Sequence, residues 1–155
     1  EISACLVGSE MCIRDRDASF IAGDCLYVLE CKAVAVQSRI DVGDWAALQD
    51  RWKKLAIGEQ SSGKKKPSYL EQAETLVEFL RSNPRGKSYP GGQPYQLPPT
   101  VSRIEPCLCT PFVEFVPDPS PRYWLDNETP RICVPLEVLG YATNSKPKLS
   151  MGNAQ

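Results

Sequence analysis

The chain has 155 residues, 42% of them apolar and 24% charged, with a formal net charge of −1. That length suits one domain with its own core. No run approaches the ~20 apolar residues needed to cross a bilayer, and the charge balance argues against coating nucleic acid wholesale, though a local basic patch remains open. The sequence contains no histidine, which removes Ser-His and Cys-His nucleophiles and most transition-metal sites and leaves carboxylates, lysine and hard cations for chemistry.

Seven cysteines, odd in number and irregular in spacing, do not read as a disulfide framework. Cys25 and Cys31 are expected on strands as small apolar residues. Cys107-x-Cys109 alternates like a strand and lacks the second pair that a zinc site needs. A cytoplasmic setting is expected.

Leu6 to Asp15, LVGSEMCIRD, resembles the translation of a tagmentation sequencing adapter ending in the transposase mosaic end. Residues 1–16 are therefore expected to be an adapter-derived, disordered artefact, set aside from fold reasoning like any processing scar. The natural sequence is then expected to start at Asp17, with its true beginning upstream. A partial domain is expected over 17–144 and a flexible tail over 145–155.

Asp17 to Lys32, DASFIAGDCLYVLECK, reads as a β-hairpin: two apolar, strand-like runs flank Gly23-Asp24, a pair suited to a two-residue turn. With that loop, Ala22 pairs with Cys25, Phe20 with Tyr27 and Asp17 with Glu30, which sets two carboxylates opposite each other with Cβ atoms ~5 Å apart. Lys32, two residues beyond Glu30, shares its face. Strands are expected over 18–22 and 25–35, with apolar residues on both faces of the second, as in a central strand covered on both sides. Asp24 reads as a turn residue. The pattern D-x(12)-E-x-K suits a divalent-metal site. It equally allows a Glu30–Lys32 ion pair that caps the sheet edge.

Trp45, Leu48, Trp52 and Leu55 recur at helical spacing, with Asp44 as N-cap and Gly58 as stop, and both tryptophans are expected in the core. Gly58 to Lys66 reads as a flexible basic loop. Ser68-x-x-Glu71 is a capping box, and the helix behind it carries Leu70, Ala73, Leu76, Val77 and Leu80 on one stripe as far as Asn83. Lys64, Lys65, Lys66, Arg81, Arg85 and Lys87 bracket that helix, either as a phosphate-facing rim or as an ordinary solvated surface. Lys87 to Thr100 is expected to be irregular. Residues 101–116 read as two extended pieces broken by Pro106 and Pro111. Tyr123 and Trp124 fall in a proline-bearing loop expected to pack over the sheet. A short strand at 131–134 and a short helix opening at Pro135 complete the pattern.

At this point the chain resembles the PD-(D/E)xK, or restriction-endonuclease-like, nuclease superfamily, through its DASF…LYVLECKA hairpin and the Trp-bearing helix after it. The likeness extends through the Gln72-Ala73 helix and the EPCLCTPFVEFVP and PRICVPLEVL stretches. It implies an α/β αβββαβ core whose first helix and strand would lie upstream of Asp17. It further implies that Asp17 and Glu30 ligate Mg²⁺ (or Mn²⁺) with the backbone carbonyl of Cys31, and that Lys32 orients and helps deprotonate the attacking water. The partner implied is nucleic acid, DNA above RNA, with no membrane. The Gln-x-x-x-Tyr motif of some members is not matched, because Leu76 stands four residues after Gln72, so Gln72 reads as a helix-surface residue. A non-catalytic nuclease-like binding module and an inactive truncated fragment are the competing readings.

Overall fold

The computed structural model describes residues 3–4, 18–61, 63–87, 94–126 and 128–144. The chain order is β1 (Ser3–Ala4), β2 (Ala18–Ala22), β3 (Cys25–Cys31), α1 (Ser38–Asp41), α2 (Trp45–Trp52), β4 (Glu59–Ser61), β5 (Lys64–Lys66), α3 (Tyr69–Ser82), β6 (Arg85–Lys87), β7 (Pro94–Gln96), β8 (Arg103–Cys109), β9 (Ile132–Cys133) and α4 (Pro135–Asn144). The main sheet is mixed, in the order β1-β2-β3-β8-β9, with β2 antiparallel to its neighbours and β3, β8 and β9 parallel.

The hairpin has the expected register: Ala22 pairs with Cys25 and Phe20 with Tyr27 around Gly23, whose φ of 62° no side chain adopts readily. Pairing is described as far as Ala18 opposite Leu29. Asp17, the expected partner of Glu30, lies outside the described residues, as do most of 1–16 and all of 145–155. Ser3 and Ala4 pair with Ile21 and Phe20 along the outer edge of β2.

Both faces of the sheet are covered, which makes an α/β sandwich of three layers. Tyr27, Leu29, Cys107, Cys109 and Cys133 meet Val138 and Ala142 of α4 on one face. Leu26, Val28 and Ile104 meet Val77 and Leu80 of α3 on the other. Leu108 and Ile132 continue that second face under Leu55, Leu70 and Tyr123. The period-two alternation of β3 and β8 thus serves two cores at once.

The capping box holds as the sequence indicates. Ser68 Oγ accepts from Glu71 N at 3.1 Å and Glu71 Oε2 accepts from Ser68 N at 2.8 Å. Asp44 caps α2 through Ala47 N at 3.2 Å. The helix then widens into a π-helical turn over Lys53–Ile57, closed by Gly58 N donating to Lys53 O at 2.7 Å. A Cβ on Gly58 would stand 2.8 Å from Lys66 O, so glycine is required there for space as well as for its φ of 86°.

Several expectations are corrected. Strand β3 stops at Cys31 instead of reaching residue 35: Lys32 N makes the last ladder bond to Cys109 O (2.9 Å), and a tight turn from Val34 N to Lys32 O (3.0 Å) bends the chain away. Within the expected loop, Glu59–Ser61 (β4) pairs with Lys64–Lys66 (β5), and β7, within the expected irregular connection, pairs with β6 at its start. Pro106 does not break β8. The N–H groups of Leu108 and Thr110 point to the β9 side, at Arg131 O and Cys133 O, so Pro106 points there too. Strand β9 pairs only Leu108 and Cys109, and the missing donor falls where no strand lies.

Candidate functional site

Glu30 sits in the last turn of the pleat of β3, on the α3 face, opposite Leu108 of β8. It is only 6% exposed, among the few charged residues buried in the described chain. A buried carboxylate must be compensated, and Lys32 does this: its Nζ lies 2.8 Å from Glu30 Oε1. The same ammonium stands over the Tyr69 ring, 5.6 Å from its centroid, at the first residue of α3. The strand alternation that puts Glu30 and Lys32 on one face thus also delivers both to the N-terminal end of α3, where the parallel strands β3 and β8 end.

Of the expected triad, Glu30 and Lys32 are brought together and Asp17 lies outside the described residues. The Cys31 carbonyl points to the opposite edge from the Lys32 amide, because ladder groups alternate along a strand; that is the β2 side, beyond Ala18. A carboxylate oxygen and a peptide carbonyl are the hard donors that a divalent cation such as Mg²⁺ takes, so these two groups fit it chemically. Among the described residues, no three His, Cys, Asp or Glu side chains converge on a metal position.

One important residue was not visible as such in the sequence. Arg51 of α2 is buried and donates to Ala35 O (3.0 Å), to Val34 O (3.5 Å) and to both oxygens of Glu114. It thereby fixes the segment leaving β3 against the segment leaving β8, two residues beyond Lys32. A lone arginine beside the Trp45–Leu55 stripe gave no signal of burial, because the groups that receive it lie on two other segments.

Beside this clamp a cavity of about 450 Å³ opens between α2 and the 114–117 segment, with Trp45, Trp52 and Phe115 in its walls. Trp45 is 59% exposed, against the expectation of a core position. Trp52 is half-buried and meets Tyr123 edge-on, with ring centroids 5.0 Å apart. Tyr123 packs over the sheet as expected. Cys25 and Cys31 both lie on β3 as expected, the first buried and the second exposed.

The basic residues do not form one rim. Lys64–Lys66 precede the start of α3 and Arg85 follows its end, a helix of 14 residues and hence about 20 Å. Lys65 binds Glu71 at 2.5 Å, and Arg81 donates to Ile104 O at 2.8 Å. Only the Lys64–Lys66 group stands at the Glu30 end. Gln72 is half-buried on α3. Asp24, the turn residue, accepts from Ser102 Oγ and lies 3.6 Å from Arg103; the Ser102 bond, with help from the guanidinium, holds its carboxyl below the usual range.

No protein-family model matches the chain, and no curated protein or solved structure matches it. Among the described residues, no helix is long and apolar enough to cross a membrane.

Proposed function

We propose that the chain is the core of a Mg²⁺-dependent nuclease domain that hydrolyses phosphodiester bonds in DNA. The observation that carries this reading is the Glu30–Lys32 pair, a buried carboxylate with its ammonium at 2.8 Å where two parallel strands end. Ligand sites of open α/β sheets favour that end of the strands. The main-sheet hairpin β2–β3 and the parallel strand β8, reached through a connection that includes α3, support the reading at the level of a mixed α/β sheet.

In this reading Asp17 and Glu30 would hold the cation with the Cys31 carbonyl. Such a cation polarises a phosphoryl oxygen and lowers the pKa of water. Lys32, beside the Glu30 carboxylate, orients the attacking water and takes part in its deprotonation. The Lys64–Lys66 hairpin strand supplies positive charge for backbone phosphates at the same end of α3.

A second reading rests on the same pair. At 2.8 Å Glu30 and Lys32 satisfy one another, as a purely structural edge cap in a non-catalytic binding module would. Cleavage of labelled plasmid and single-stranded DNA with Mg²⁺ or Mn²⁺ separates the two. Loss of cleavage in Glu30→Gln and Lys32→Ala, with the circular-dichroism spectrum retained, supports the nuclease. Equal cleavage by both variants and the parent overturns it, and binding of DNA without any cleavage selects the second reading.

A further inference from the structure

Three of the cysteines are in line. Cys31, Cys109 and Cys133 occupy directly paired positions on the neighbouring parallel strands β3, β8 and β9, at the strand ends that carry Glu30 and Lys32. By strand alternation all three side chains project to the α4 face, where Cys109 and Cys133 join the core with Val138 and Ala142, and Cys109 stands between its paired neighbours Cys31 and Cys133. All three are free thiols. Paired residues on neighbouring strands stand about 4.8 Å apart, inside the Cα separation that a disulfide spans. The three differ in access: Cys31 is exposed, whereas Cys109 and Cys133 are buried.

We propose that Cys31 and Cys109 form a reversible redox pair, with Cys31 as the thiol that meets the oxidant and Cys109 as the resolving thiol. The oxidant is a hydroperoxide. Cys31 Sγ attacks the peroxide oxygen, the O–O bond breaks, and the products are a Cys31 sulfenic acid and water (or the corresponding alcohol). Cys109 Sγ then attacks the sulfenic sulfur, the S–O bond breaks, and a second water leaves as the Cys31–Cys109 bond forms. Two thiols are oxidised and one peroxide is reduced. A dithiol reverses the step by exchange. Because Cys31 lies between Glu30 and Lys32, the link would tie the end of β3 to β8 at the candidate site; the pairing itself does not depend on the nuclease reading.

Treatment of the whole chain with hydrogen peroxide, alkylation of remaining thiols and mass spectrometry of unreduced peptides tests this. The expected product is a peptide pair joined through Cys31 and Cys109, two hydrogens lighter than the parts and separated by dithiothreitol. It should persist in Cys133→Ser and vanish in Cys31→Ser, a surface change that leaves the core intact. A sulfenic-acid probe should label Cys31 in Cys109→Ser, and the Cys31→Ser result holds even if that variant misfolds. Joining of Cys109 to Cys133, joining of Cys31 to Cys5 or Cys12, or conversion of Cys31 to sulfinic acid with no linked product would each overturn the proposal.

Discussion

Arg51 and Glu114 form a buried two-pronged ion pair, Nε to Oε2 at 2.6 Å and Nη2 to Oε1 at 2.5 Å, with side chains only 8% and 5% exposed. Arg122 and Glu74 form the same fork of guanidinium on carboxylate at the surface, but the Arg51–Glu114 fork is buried. Removing either partner strands a charge out of water. Arg51→Ala and Glu114→Ala should each lose about 3–5 kcal/mol in urea unfolding. The double replacement Arg51→Met with Glu114→Leu should lie closer to the parent than either single variant. A loss below about 1 kcal/mol in both single variants would contradict the burial of the pair.

The Glu30–Lys32 pair should behave differently from an exposed pair of the same types. Asp50 and Lys53 lie 3.7 Å apart on the solvated side of α2. A double-mutant cycle on Glu30 and Lys32 should give a coupling above about 1 kcal/mol, whereas the Asp50–Lys53 cycle should give about 0.5 kcal/mol or less and fade with added salt. Equal couplings would mean that water screens Glu30 as well as it screens Asp50.

Acid should destabilise the fold through helix α3. Partial burial raises the carboxyl pKa of Glu71, but the Lys65 ammonium, the Ser68 amide and the Arg122 guanidinium outweigh it and hold the value below the ordinary 4.5. A folded value depressed below the unfolded one means that the stabilisation is fully present above about pH 4.5 and is lost as pH falls through the folded value. Glu71→Gln, which can keep the cap, should flatten the acid limb of a plot of Tm against pH. An unchanged limb would assign that limb to other carboxylates.

The helix cap itself is testable at neutral pH. Ser68 is buried and its hydroxyl accepts from the Glu71 amide. Ser68→Ala should cost about 1 kcal/mol in thermal or urea unfolding, and Ser68→Asp should recover much of it.

Pro106 makes a directional test of the sheet. Because its nitrogen faces the side where β9 has not begun, Pro106→Ala should remain within about 1 kcal/mol of the parent. The same replacement would stabilise by far more if the proline were interrupting a ladder.

The hairpin, the cap at Ser68 and the stripe of α3 were legible because each is a local pattern: a turn pair, a four-residue box, a 3.6-residue period. Pro106 misled because the cost of a proline depends on which neighbour its nitrogen faces, and that is decided by β9, far along the chain. The β4–β5 hairpin was hidden because Glu59-Gln60-Ser61 and Lys64-Lys65-Lys66 have no apolar alternation; the pairing is held by backbone groups and by turns at Gly58 and Gly63, both at positive φ. At the site, Glu30 and Lys32 could be placed together from strand period alone. Arg51 could not, since its partners Val34, Ala35 and Glu114 come from two other segments.

The parallel pairing of β3 with β8 also sets an order of events in folding. The hairpin closes over two residues and belongs to contacts that form in ~1–10 μs. Strand β8 reaches β3 only after the whole stretch from Asp24 to Ser102, 78 positions apart, has been brought round, an entropy cost that local contacts do not bear. Lys32 N cannot find Cys109 O until that closure is complete. The end of β3 that carries Glu30 is therefore among the last parts of the sheet to be built, and substitutions there should mainly quicken unfolding, while those around Gly23-Asp24 should slow folding.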